Sequence, residues 1–261
     1  MRYRERVGKR DKDTEGCTSY RSQYAGKKFA VEVDPREEEI GSVLPGNNCG
    51  GCGYAGCSGL AAAIVKGEAP VGACPVGGAP VAEKIAEIMG ENVGESVRMT
   101  ALVKCAGTCE KAKQKYDYTG IEDCVMAGMM QNGGPKGCTY GCLGFGSCVK
   151  ACPFDAIHIV NGVAVVDKEA CKACGKCVAV CPKHLIEIVP YDQKHLVKCN
   201  SQDKGKAVMQ ACTAGCIGCK MCEKACKFEA VTVENNIAHI DYEKCKDCGA
   251  CAVKCPKKVI S

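Results

Sequence analysis

Apolar and polar residues alternate along this chain in short bursts. Phe29–Val33 (FAVEV) has the two-residue period of a strand. From Asp34 the pattern changes: Pro35 and the acids that follow it predict a helix from Pro35 to about Val43, ended by Pro45-Gly46. Residues 58–66 predict a second helix. It holds the longest clean apolar run, Leu60–Val65, far short of the ~20 residues a membrane crossing needs. Residues 79–90 put Val81, Ile85, Ile88 and Met89 on one helical face, with Gly90 as the stop. Further on, period-two runs flank two turn signals. Ala156–Val160 and Val163–Asp167 surround Asn161-Gly162, and Ala230–Glu234 and Ile237–Asp241 surround Asn235-Asn236, predicting two hairpins. Short helices are expected after Cys148, Cys177, Cys222 and Cys251, and another over 206–212.

The two hairpins belong to a repeat. Cysteines 138, 142, 148, 152, 171, 174, 177 and 181 recur, without a gap, at 212, 216, 222, 226, 245, 248, 251 and 255. Cys-Thr-x-Gly-Cys, Lys-Ala-Cys-x-Phe and Cys-Lys-x-Cys-Gly-x-Cys recur in step. Such a register points to duplication of one supersecondary unit. Upstream, Ala101-Leu-Val-Lys-Cys105 reappears as His195-Leu-Val-Lys-Cys199 at a different spacing.

Cysteine makes up 26 of 261 residues. Disulfide frameworks belong to short exported chains, and the charged start MRYRERVGKRDKDTEG has no apolar core of a signal peptide. Zinc prefers two separated Cys pairs around one ion. Here triple runs at x2 spacing end in x3-Cys, which is the signature of a ferredoxin with two [4Fe–4S] cubanes, each taking its fourth ligand from the other run. Applied to the second block, this groups Cys216, Cys219, Cys222 and Cys255, and separately Cys226, Cys245, Cys248 and Cys251. In the first block, Cys152, Cys171, Cys174 and Cys177 form the regular set. The place of Cys219 is taken by Phe145, and Cys138 is expected to stand in for it beside Cys142, Cys148 and Cys181.

A further set precedes the repeat: Cys49, Cys52 and Cys57 in a loop with glycines at 50, 51, 53 and 56, then Cys74. The glycines allow a tight loop around a bulky anionic group, and the helix starting at 58 aims its first N–H groups at it. Four thiolates alone admit zinc as well as a cubane here. Cys17, Cys105, Cys109, Cys124, Cys199 and Cys212 are left over. They read as structural or free thiols, with a Cys199–Cys212 disulfide or a sixth metal site as alternatives.

Val33-Asp-Pro-Arg36, Leu44-Pro-Gly-Asn-Asn-Cys-Gly-Gly-Cys-Gly53, Gly56-Cys57, Gly67-Glu-Ala-Pro70 and Cys74-Pro75 closely resemble the iron–sulfur domain of the B subunit of Rnf complexes, and more loosely a domain of corrinoid-linked acetyl-CoA enzymes. The resemblance runs from about Gly26 to the C-terminus. It implies five [4Fe–4S] clusters. It also implies electron transfer from soluble ferredoxin toward membrane and flavin-bearing subunits, at the cytoplasmic face of the cell membrane, in a complex that couples ferredoxin and NAD to ion translocation. Residues 1–25 lack the hydrophobic anchor helix that usually opens this family, so the expected attachment is peripheral, through partner subunits.

The expected fold is α+β. After a basic tail (1–28) comes a small helical four-Cys iron–sulfur domain (29–90). A linker (91–134) then leads to two tandem bacterial-type two-cluster ferredoxin domains (135–190 and 191–261). The formal charge of +5 counts thiols as neutral. Five cubanes at about −2 each would bring the loaded protein to roughly −5. No basic helix or aromatic-interleaved strand supports nucleic-acid binding. The four His residues are scattered and no Gly-rich phosphate loop follows a strand, so no catalytic site is expected in the chain itself. Apart from the family resemblance, a soluble polyferredoxin serving a hydrogenase or a flavin-based bifurcating enzyme fits the same cysteine pattern.

Overall fold

A computed structural model describes residues 34–94 and 97–261. The expected strand at 29–33, the basic tail and Cys17 lie outside the described residues.

The first unit is three helices: α1 (Pro35–Val43), α2 (Cys57–Val65) and α3 (Gly78–Met89). Asp34 caps α1, its carboxylate accepting the Arg36 N–H at 2.9 Å. Gly90, in the left-handed conformation at φ 70°, ends α3. Ile40, Leu60, Ile64 and Ile85 are fully buried where the three helices meet. Helix α1 packs against both of the others, and Ala61 and Ala63 of α2 are buried beside Leu60 and Ile64.

Two repeat units follow. In the first, β1 (Met99–Val103) pairs antiparallel with β4 (Ile186–Pro190), and β2 (Ile157–Val160) forms a hairpin with β3 (Val163–Val166). Two short helices, α5 (Ser147–Ala151) and α6 (Lys176–Val180), pack against each other. Before them comes α4 (Cys124–Gly128). The second unit has α7 (Gly205–Ala211), then α8 (Met221–Ala225), the hairpin β5 (Val231–Glu234) and β6 (Ile237–Ile240), and α9 (Ala250–Lys254).

Residues 99–103 fall inside the stretch that reads as a linker, yet they are a strand of the first unit. The reason is the partner. Val103 lies opposite Ile186, and the matching residues of the second unit, Val197 and Ile260, form an antiparallel bridge. The lead-in Leu-Val-Lys-Cys and the tail of each repeat therefore close on one another. Burial drives this, because Val103 and Ile186 are covered in one core and Val197 and Ile260 in the other.

The units are also sewn together. Lys113 N–H donates to Ala211 O at 3.0 Å, Thr213 N–H to Lys111 O at 2.8 Å, and Gly137 N–H to Lys113 O at 2.6 Å. A strand-like piece of the first unit's lead-in thus lies between the two Cys-Thr-x-Gly-Cys segments. Gly137 is required there, since a Cβ would sit 2.8 Å from Lys113 O.

Candidate metal centres

Each triple run of cysteines has the same local build. A residue in the left-handed region, Gly146, Gly175, Lys220 or Gly249, opens a one-and-a-half-turn helix, and the third cysteine of the run is its second residue. The fourth cysteine, Cys152, Cys181, Cys226 or Cys255, is the extended residue that ends it. The two cysteines therefore leave opposite ends of one short helix and must point to different places.

The packing of paired helices then sorts the sulfurs. Cys216, Cys219, Cys222 and Cys255 line one pocket. Cys152, Cys171, Cys174 and Cys177 line another. Cys251 has Cys245 and Cys226 as near neighbours, while Cys248 is exposed at the rim. In the helical unit, Cys52 and Cys57 stand close to Cys74. Asn48 positions that loop by accepting the Cys57 N–H at 2.8 Å, and Cys49 faces Cys174 of the first repeat. Across this junction Gly51 touches the Cys174 backbone so closely that a Cβ would lie 2.9 Å from its Cα and O.

The first block departs from expectation. Cys142, Cys148 and Cys181 share a pocket with Cys124, and Cys138 is not among its lining residues. Cys138, expected to stand in for the missing ligand, lies outside this pocket. Phe145 holds the place of Cys219, and its ring packs at 5.1 Å on Tyr118. That contact anchors the loop that delivers Cys124. Asp123 caps α4, its Oδ1 accepting from the amides of Val125 and Met126. Ser147 Oγ accepts the Cys124 N–H at 2.9 Å and donates to Asp123 Oδ2 at 2.8 Å. The signal was visible in the chain: the stretch from Cys105 to Cys138 is longer than its counterpart from Cys199 to Cys212, and the extra length carries Cys124. Cys138 instead lines a separate pocket with Cys105, Cys199 and Cys212.

Burial pushes the Cys148 thiol up to about 12, helped by repulsion from Cys142, Cys124 and Cys181. It pushes Cys177, Cys199 and Cys222 to about 11. Left alone these are neutral thiols, and a positively charged iron core that takes up thiolate makes their deprotonation favourable, with release of protons. Backbone amides already aim at sulfur: Ala101 N–H to Cys171 Sγ (3.4 Å), Leu185 to Cys181 (3.5 Å) and Val259 to Cys255 (3.4 Å). Such bonds favour the charged ligand and tune a cluster. All cysteines among the described residues are free of disulfides, so a Cys199–Cys212 bridge is not formed. Among the described residues no three His, Cys, Asp or Glu side chains gather as one ion would need.

Comparison with known families agrees with this geometry. Residues 44–76 match the family described as a putative Fe-S cluster. Residues 134–182, and in two overlapping matches 170–230 and 215–259, correspond to the 4Fe-4S dicluster domain. The fold and its cysteine pockets thus define a multi-domain iron–sulfur protein of mixed α and β structure. The B subunit of the Na(+)-translocating ferredoxin:NAD(+) oxidoreductase complex of Acetobacterium woodii is 52% identical over 91% of this chain and 71% of its own length. The B subunit of the ion-translocating oxidoreductase complex of Methanosarcina acetivorans is 48% identical over 90% of the chain and 89% of its own. The counterpart from the proton-translocating ferredoxin:NAD(+) oxidoreductase complex of Clostridium ljungdahlii is 45% identical, covering 91% and 84%. The chain belongs to this family, the B subunits of Rnf complexes.

Proposed function

We propose that the chain is the electron-relaying subunit of an ion-translocating ferredoxin:NAD oxidoreductase complex. It takes electrons from soluble ferredoxin and hands them toward membrane and flavin-bearing subunits at the cytoplasmic face of the membrane. Cubane clusters, when bound, supply one-electron transfer at potentials set by the protein. The residues that would hold five of them are Cys49, Cys52, Cys57 and Cys74; Cys152, Cys171, Cys174 and Cys177; Cys124, Cys142, Cys148 and Cys181; Cys216, Cys219, Cys222 and Cys255; and Cys226, Cys245, Cys248 and Cys251. In this reading the two repeats are tandem two-cluster ferredoxin domains, preceded by the helical four-Cys domain.

The observation that carries the reading is the direct abutment of cysteine groups, above all Gly51 of the helical unit against Cys174 of the first repeat. A side chain there would force the groups apart, and glycine keeps them close. Among the described residues no helix is long and apolar enough to cross a membrane. The test is anaerobic mixing of the loaded chain with reduced ferredoxin, followed by absorbance near 400 nm. Bleaching within the mixing experiment supports the role. A chain that dithionite bleaches but ferredoxin does not would sink it.

A further inference from the structure

The lead-ins of the two repeats differ at their first residues, and the difference reaches a ligand sulfur. Ala101-Leu-Val-Lys-Cys105 and His195-Leu-Val-Lys-Cys199 are in register, so Met99 in the first copy answers to Gln193 in the second. The 74-residue register likewise sets Ala173 against Asp247, and Cys171 against Cys245. We propose that Gln193 tunes the cluster held by Cys226, Cys245, Cys248 and Cys251, its side-chain amide donating to the Cys245 sulfur in place of a backbone N–H. The proposal rests on the cluster assignment given above.

In the first repeat, Cys171 Sγ accepts two backbone bonds, from Ala101 N–H at 3.4 Å and Ala173 N–H at 3.5 Å. In the second, the bond from Asp247 N–H to Cys245 Sγ is kept, at 3.4 Å. The lead-in amide is lost to the sulfur, because the Asp247 carboxylate draws it away. Oδ1 accepts the His195 N–H at 3.1 Å, Oδ2 accepts the Lys194 N–H at 3.1 Å, and Oδ1 lies 2.7 Å from His195 Nδ1. Ala173 has only a methyl group and cannot compete in this way. Gln193 fills the gap, its Nε2 donating to Cys245 Sγ at 3.3 Å. The sulfur thus keeps two donors, one of them now a side chain. The surroundings fix the orientation of that amide. Nε2 faces three acceptors: Cys245 Sγ, Asp247 Oδ1 at 3.0 Å and His195 O at 3.5 Å. Turned over, its oxygen would face a carboxylate and a thiolate, neither of which can donate.

Gln193 is also held in place. It is buried, its N–H donates to Pro190 O at the end of β4 at 3.3 Å, and its carbonyl accepts from Lys168 Nζ at 3.4 Å. Both anchors belong to the first repeat, so the segment joining the repeats carries a donor from one to a ligand of the other. Donors to a ligand sulfur stabilise the more negative, reduced core and raise its potential. Gln193 therefore returns to this core the bond that Asp247 takes away, and it ties the potential of the core to the junction between the repeats.

The test is an anaerobic dithionite titration of the loaded full chain followed by electron paramagnetic resonance, with iron and sulfide per chain, on the wild type, Gln193→Met and Met99→Leu. Gln193→Met gives the second copy the residue of the first and removes the donor at similar volume. In it, one midpoint should move to more negative potential while the others stay in place, at unchanged iron and sulfide. Met99→Leu should move none. Unmoved midpoints in Gln193→Met overturn the proposal, as does a shift to more positive potential or an equal shift in Met99→Leu. Should Gln193→Met lose iron, the wild type decides. Isotopically labelled at the side-chain nitrogen of glutamine, it should show coupling of that nitrogen to one reduced core in pulsed resonance spectra, and no coupling overturns the proposal. Failure of ferredoxin to reduce the chain, by contrast, would strike the relay reading and leave the midpoints standing.

Discussion

Phe145 illustrates how one residue redirects a site. In the second repeat its position is Cys219, an exposed cysteine on the loop before α8. In the first repeat an aromatic ring sits there, and Tyr118 packs on it; in the reading proposed above the ligand comes from a neighbouring loop instead. Cys124→Ala should lower iron by about one to four per chain, depending on whether three ligands still retain part of the core. Cys109→Ala should leave iron unchanged, since Cys109 is exposed and lies against the hairpin turn at Gly162, outside the cysteine pockets described. Iron and sulfide analysis separates these outcomes, and equal losses in the two variants would contradict the assignment of Cys124. Phe145→Leu should cost about 1 kcal/mol through the lost aromatic pair, seen as faster release of iron to a chelator with the as-purified content intact. The open ligand position at Phe145 was legible from the 74-residue register. Its proposed replacement, Cys124, shows in the chain only as the extra length between Cys105 and Cys138, because spacing reports only on ligands within one loop.

At the level of elements, the hairpins, the three helices of the first unit and the short helices at each triple run follow from local pattern. Asn161-Gly162, Pro35 and Gly90 act within a few residues of where they stand. The strand β1 did not announce itself. Its five residues, Met-Thr-Ala-Leu-Val, carry no clear alternation and all but the first are buried. What makes them a strand is β4, far along the chain. The junction between α2's unit and the first repeat is equally non-local, and Gly51 is its sensitive point. Gly51→Val should displace Cys49 from Cys174 while leaving both cysteine sets whole. Stopped-flow traces should then show slower electron passage between the helical unit and the first repeat, at unchanged iron content. Traces identical to wild type would mean the junction does not limit the flow.

For the whole molecule, burial of hydrocarbon is modest: the chain has no Trp and 4 Phe, and its cores are small clusters that include the cysteines themselves. Stability should therefore depend on the metal, as in small metallodomains generally. Removing iron under reducing conditions should abolish most of the far-ultraviolet circular dichroism, and a native-like spectrum without iron would contradict this. The strand-like piece around Lys113, held to Ala211 on one side and Gly137 on the other, has a mechanical consequence. The repeats are neighbours in sequence, yet the clamp that joins them lies in the lead-in of the first and at the start of the second. A protease that nicked the connection near Asp192 would cut a covalent tie and leave this clasp closed. The two fragments should still elute together on a sizing column, and part only when denatured.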